Sequence, residues 1–146
     1  MSEEPIDILL VDDNDDDVLL VQEALSEAER LNVLHTARDG EEALDYMRRT
    51  GKYAQARLPG LVLLDINMPK KNGLEVLREL KKDERLKHIP VVMLTTSKRE
   101  EDIVAAYTSG ACSFISKPLG FDSMREALAH FATYWGQVSR IPPPQK

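Results

Sequence analysis

The sequence predicts an α/β protein built as a doubly wound, five-stranded parallel sheet in the order 2-1-3-4-5. Two observations carry that prediction. Five apolar runs of strand length punctuate the 146 residues, and a segment with helical periodicity follows each of them. Alternation of this kind is satisfied by a parallel sheet with helices on both faces, joined by right-handed crossovers.

The first run, Ile6–Val11 (IDILLV), reads as a buried strand. The helix after it is expected over about Asp16 to Ala28, with Val18, Val21 and Leu25 on one face. Val33–Ala37 (VLHTA) is the second strand, and the helix that follows carries Ala43, Leu44 and Met47. The longest connection, Thr50–Gly60, leads to the third strand, Leu61–Leu64 (LVLL), and to a helix marked by Leu74, Leu77 and Leu80. Val91–Leu94 (VVML) is the fourth strand. Its helix opens on Ser97-Lys98-Arg99-Glu100, the pattern of a capping box in which Ser97 and Glu100 satisfy each other's backbone N–H groups. Cys112–Ile115 (CSFI) is the fifth strand, and the last helix is expected from about Asp122 to Val138. Residues 1–139 form one domain, and the tail 140–146 (RIPPPQK) cannot continue a helix because of its prolines.

Composition narrows the function classes. A net charge of −6 argues against a nucleic-acid binder or a protein held on anionic membranes. No apolar run approaches the ~20 residues of a membrane span, and the first ten residues lack a signal-peptide pattern, so a cytoplasmic location is expected. The single cysteine, Cys112, rules out an intrachain disulfide and reads as a buried, inert thiol. His35, His88 and His130 are scattered and suggest no metal site.

The stretch ILLVDDNDDDVLL sets five aspartates into six positions behind the first strand. Two carboxylates 4 Å apart repel by about 4 kcal/mol at an effective dielectric near 20, so either a cation sits there or the acids cap a helix. Ligands of open α/β sheets bind beyond the carboxyl ends of the strands, where strand order reverses. The first strand ends in Asp12 and Asp13, the third in Asp65, the fourth in Thr95 and the fifth in Ser116-Lys117-Pro118. In the order 2-1-3-4-5 the first and third strands are neighbours, so three carboxylates meet at one edge with a hydroxyl and an ammonium nearby. Oxygen ligands of this kind suit a hard divalent cation such as Mg²⁺. A carboxylate beside it can attack phosphorus to form an aspartyl phosphate, with Lys117 and Thr95 as further donors. Asp15, Asp16 and Asp17 suit the helix start, where the dipole favours anions.

Four stretches, LLVDDN, LLDINMPKKNG, VVMLTTS and SFISKP, agree in order and spacing with one family. Over nearly its whole length the chain resembles the receiver domain of two-component response regulators, with their flavodoxin-like fold. The resemblance implies that Asp65 accepts a phosphoryl group from a sensor histidine kinase. It implies that Asp12 and Asp13 seat Mg²⁺ together with Asp65 and the backbone carbonyl of Asn67. Thr95 stands for the switch hydroxyl, Lys117 for the phosphate-contacting ammonium and Phe114 for the switch aromatic. The Lys117–Pro118 bond is expected cis. Such a protein is a signalling phosphoacceptor rather than an enzyme acting on other substrates. DDNDDDVLLVQEAL, MPKKNGLEVL, SKREEDIVAAY and FATYW are also similar to the stand-alone regulators paired with bacterial phytochromes, many of which are dimers.

Met124, Leu128, Phe131, Trp135 and Val138 form an apolar stripe on the last helix. Phe131, Tyr134 and Trp135, near the end of the domain, are expected to be exposed as interface residues. They would extend a homodimer or target-binding face made of the fourth helix, fifth strand and fifth helix. Two other classes are excluded. A flavin carrier needs a first loop rich in Gly, Ser or Thr where five aspartates stand. A two-aspartate phosphatase needs an acid where Asn67 stands. A phosphorylation-independent scaffold on the same fold stays open as the alternative.

Overall fold

The computed structural model describes residues 5–27, 30–118 and 120–142. Five strands, β1 (Ile6–Val11), β2 (Leu31–Ala37), β3 (Leu61–Leu64), β4 (Val91–Thr95) and β5 (Ser113–Ser116), pair in parallel in the order 2-1-3-4-5. Helices α1 (Asp15–Ser26), α2 (Gly40–Arg48), α3 (Gly73–Lys82), α4 (Glu100–Thr108) and α5 (Phe121–Thr133) fill the connections, and a π turn, Tyr134–Val138, extends α5. A short 3-10 turn, Gly51–Tyr53, interrupts the long connection before β3.

Successive residues of a strand point to opposite faces, so a strand covered on both sides is apolar throughout. Leu9 and Val11 of β1 enter one core with Val76, Leu77 and Leu80 of α3, whereas Ile8 and Leu10 enter the other with Val18, Val21 and Leu25 of α1. The helix starts are held by side chains. Asn14 accepts from the Asp17 N–H, Asp39 accepts from the Glu42 N–H, and Asn72 with Glu75 forms a complete capping box.

Several expectations need correction. The Ser97–Glu100 capping box does not form: α4 begins three residues beyond Ser97, with Arg99 at the cap position. The Ser97 hydroxyl instead donates to Asp102 Oδ2 at 2.5 Å and accepts from the Arg99 N–H at 3.3 Å. Cys112 is exposed, because it precedes β5, an edge strand with a neighbour on one side only. The Lys117–Pro118 bond is trans; proline leaves the two isomers within about 1 kcal/mol, so the surrounding fold selects between them.

Phe131 and Trp135 are not exposed aromatics. Both lie in the core shared by α1, α5 and the sheet, Trp135 with 8 % exposure, and their rings approach to 6.5 Å. The cause is local. The terminal π turn lies over the start of β2, where Arg30 donates to the Gly136 carbonyl at 3.2 Å, and the chain beyond it returns across Gly60 through Ile141. Tyr134 alone of the three stays exposed, at 51 %. The Val138 side chain and residues 143–146 of the tail lie outside the described residues.

Candidate functional site

The ladder hydrogen bonds run past the last strand residues and fix the acids that follow. The Asp12 N–H donates to the Ala37 carbonyl at 3.0 Å, and the Asp65 N–H donates to the Val11 carbonyl at 2.9 Å. Asp12 and Asp65 thereby stand side by side, both buried, with Asp13 exposed beside them. One carboxylate oxygen from each of Asp12, Asp13 and Asp65 lies within 4.8 Å of the others.

Lys117, just beyond β5, is held by its own N–H, which donates to the Thr95 carbonyl at 2.7 Å. Its ammonium donates to Asp12 Oδ2 at 2.6 Å, to Asp17 Oδ2 at 2.9 Å and to Asp65 Oδ2 at 3.3 Å, and its side chain is 3 % exposed. Asp65 Oδ1 is buried without a hydrogen-bond partner among the described residues. A buried carboxylate oxygen left unpaired is costly, and Asp65 belongs to a cluster of acids. The donor set therefore fits a hard divalent cation, which needs oxygen ligands and few carboxylates.

Charge and burial oppose each other here. Burial pushes the Asp12 carboxyl above the ordinary carboxylate value, against the hydrogen bonds of Lys117 and of the Asn14 N–H, which favour its ionised form. Burial disfavours the Lys117 ammonium, but its bonds to Asp12 and Asp17 and the charge of Asp65 outweigh that and raise its pKa. Lys117 is a fixed cation at any physiological pH.

The loop after Asp65 is held by close backbone approach. A Cβ on Gly73 would fall 2.0 Å from the Asp65 carbonyl oxygen, and one on Gly40 would fall 2.2 Å from the Lys71 carbonyl oxygen. Residues 66–72 are thus pressed between the starts of α2 and α3, which fixes the backbone that carries Asn67. The Gly73 N–H donates to the Ile66 carbonyl at 2.8 Å and closes the loop. Asn67 is exposed in it.

Thr95 is fully buried at the end of β4, its hydroxyl accepting from the Ser97 N–H at 3.5 Å. Phe114 is half-buried against the core on the α2–α4 side, and its N–H donates to the Tyr107 hydroxyl at 3.1 Å. The fold brings Asp12, Asp13, Asp65 and Lys117 into one constellation, with Thr95 on the strand beside Lys117. It separates Phe131, Tyr134 and Trp135 from it. Sequence reasoning missed Asp17, which it assigned to the helix start alone. The available signal was helical spacing: Asp17 lies four residues before the buried Val21 and so faces the sheet.

A doubly wound sheet with three acids and a lysine at its switch point is the architecture of a signalling receiver, and the chain belongs to the response regulator receiver domain family, which it matches over residues 8–129. Among curated proteins it is 38 % identical over 143 residues to the probable methanogenesis regulatory protein FilR2 of Methanothrix harundinacea, covering 98 % of this chain and 92 % of that protein. It is 37 % identical over 141 residues to the response regulator Rcp1 of Synechocystis sp., covering 97 % and 96 %. Its fold matches the crystal structure of the phosphorylated cyanobacterial phytochrome response regulator RcpA with a TM-score of 0.89 at 39 % identity, covering 95 % of this chain and 99 % of that one. The Mn²⁺-bound form of Rcp1 matches with a TM-score of 0.87 at 36 % identity, covering 95 % and 100 %. No described helix is long and apolar enough to cross a membrane.

Proposed function

We propose that the chain is a single-domain response regulator that accepts a phosphoryl group on Asp65 from the phosphohistidine of a sensor histidine kinase. The observation that carries this reading is the Asp65 carboxylate itself. It is buried, its Oδ2 is held by Lys117, and its Oδ1 is left unpartnered beside two further acids. Asp12, Asp13, Asp65 and the Asn67 carbonyl would hold Mg²⁺, which would offset the charge developing on the phosphoryl oxygens. The Mn²⁺-bound Rcp1 structure supports a divalent cation in this family of sites.

Asp65 attacks phosphorus as an oxygen nucleophile, a P–O bond forms, the P–N bond to the donor imidazole breaks, and its electron pair stays on the leaving nitrogen. Lys117 supplies a fixed ammonium to the phosphoryl oxygens. Thr95 uses its hydroxyl as an acceptor for the Ser97 N–H, so its own proton is available to a phosphoryl oxygen. Movement of Thr95 would vacate space for Phe114, which is only half-buried and packs toward the α4 side. A local charge event would in this way bias a surface with two arrangements.

That surface is the face of α4, β5 and α5, where Val104 and Tyr107 are exposed apolar side chains. We place a homodimer or target contact there. The likeness to RcpA, a cyanobacterial phytochrome response regulator, supports a bacterial phytochrome as the kinase. The test is the intact mass of wild type and Asp65→Asn after incubation with Mg²⁺ and acetyl phosphate, with and without chelator. One phosphate adduct is expected in wild type only, lost on chelation. An adduct that survives in Asp65→Asn would overturn the assignment. Absence of any adduct, even with a phytochrome kinase supplied, would favour a phosphorylation-independent scaffold.

A further inference from the structure

Lys117 carries three N–H donors, and all three are taken by carboxylates: Asp12 at 2.6 Å, Asp17 at 2.9 Å and Asp65 at 3.3 Å. A phosphoryl oxygen arriving on Asp65 can bond this ammonium only if one carboxylate lets go. The three are not equal in what release costs. Asp12 is buried, belongs to the three-acid cluster and also receives the Asn14 N–H at 2.9 Å. Stripping its cation would leave an uncompensated charge out of reach of water. Asp65 is the acceptor itself: attack through its unpartnered Oδ1 leaves Oδ2, then the acyl carbonyl oxygen, still against the lysine.

Asp17 differs on each count. Its side chain is 26 % exposed, so water can replace the lysine, and it stands outside the cluster of Asp12, Asp13 and Asp65. Its carboxylate is not needed to start α1, because Asn14 already accepts the Asp17 N–H at 3.0 Å. Its neighbours behave otherwise: Asp15 pairs with Arg38 on the surface, and Asp16 is exposed. Of the acids in this run, Asp17 is the one on the helix that reaches inward to the lysine.

We propose that Asp17 is a positioning residue that holds Lys117 in the unphosphorylated state and yields it when a phosphoryl oxygen on Asp65 takes the same ammonium. The proposal rests on the phosphoacceptor reading above. Asp17 is then a brake on activation, and its release frees the first turn of α1 at the moment of phosphorylation.

The experiment titrates wild type, Asp17→Asn, Asp17→Glu and Asp16→Asn with beryllofluoride, a phosphoryl mimic, at saturating Mg²⁺. The bound species is read by fluorine NMR, and cooperative thermal unfolding of each variant verifies its fold. Asp17→Asn is expected to bind beryllofluoride about three- to tenfold more tightly than wild type, the range for losing one half-buried competitor for an ammonium. Asp17→Glu, which keeps the competing charge, is expected to return toward wild type, and Asp16→Asn, which removes the same charge without touching Lys117, to remain near it. Equal tightening in Asp16→Asn and Asp17→Asn would reduce the effect to net charge and overturn the proposal. So would unchanged or weaker binding in Asp17→Asn when wild type binds. Failure of wild type to bind the mimic would instead overturn the phosphoacceptor reading, and this inference with it.

Discussion

Two ion-pair hubs of opposite sign sit on this molecule. At the carboxyl edge of the sheet one cation, Lys117, serves Asp12, Asp17 and Asp65. Between α2 and α3 one anion, Glu79, serves Arg48 at 2.9 Å and Lys71. The Lys117 side chain is sealed from water, whereas the Glu79 side chain is 30 % exposed. Lys71 and Arg48 hold the Glu79 carboxyl below its ordinary value, with partial burial working weakly against them. Similar bonds thus have different consequences. A wet hub can exchange any partner for solvent, but a dry one cannot lose its central cation without leaving buried, uncompensated charge. Three carboxylates on one buried ammonium, with Asp13 close by, do not make a stabilising device. On the phosphoacceptor reading proposed above, such an excess is a cost retained for chemistry.

The largest predicted effect tests the dry hub directly. In chelator at pH 7, Lys117→Met is expected to lose about 3–5 kcal/mol of stability, read from the urea midpoint by the fluorescence of Trp135. The loss should shrink toward pH 5. Burial already raises Asp12 above its ordinary value, so the folded variant binds a proton more readily than the unfolded chain, and acidification favours the fold. Equal losses at both pH values would contradict this account of the site.

A half-buried hub lies between the extremes. Glu42 accepts from the Arg38 N–H at 3.0 Å and the Tyr53 hydroxyl at 2.8 Å, and meets His35 at 3.1 Å, whose ring stacks on Tyr46 at 4.6 Å. Burial opposes its ionisation, but those partners outweigh it and lower its pKa, while burial and Glu42 push the Tyr53 hydroxyl up to about 12. A lowered carboxyl contributes stability above its unfolded value and loses it as pH falls through the folded one. Glu42→Gln is therefore expected to cost about 1 kcal/mol at pH 7, with the difference from wild type fading below pH 4.5. Urea midpoints across that range check it; a difference that grows with acid would refute it. The smallest effect belongs to the wet hub. Glu79→Ala should cost no more than about 0.5 kcal/mol, and high salt should erase it.

Legibility followed the range of each interaction. Asp12, Asp13, Asp65 and Lys117 were readable because each directly follows an apolar strand, and strand ends converge wherever the order 2-1-3-4-5 holds. Asp17 was hidden inside a run of acids that the helix dipole alone would justify. Its partner lies 100 residues away, beyond any local pattern. Ser97 carried a sound capping signal and was claimed by Asp102, a competitor that the pattern does not weigh.

Periodicity and composition were enough for five parallel βα units, the acidic edge and its lysine. Those features depend on which residues shun water and on where a strand must end, both of which are encoded over a few adjacent positions. The burial of Phe131 and Trp135, the exposure of Cys112 and the hold of Asp17 on Lys117 came from the packing of distant segments. Each depends on which surfaces meet and which donors are left over when they do, and no stretch of chain contains both halves of that answer.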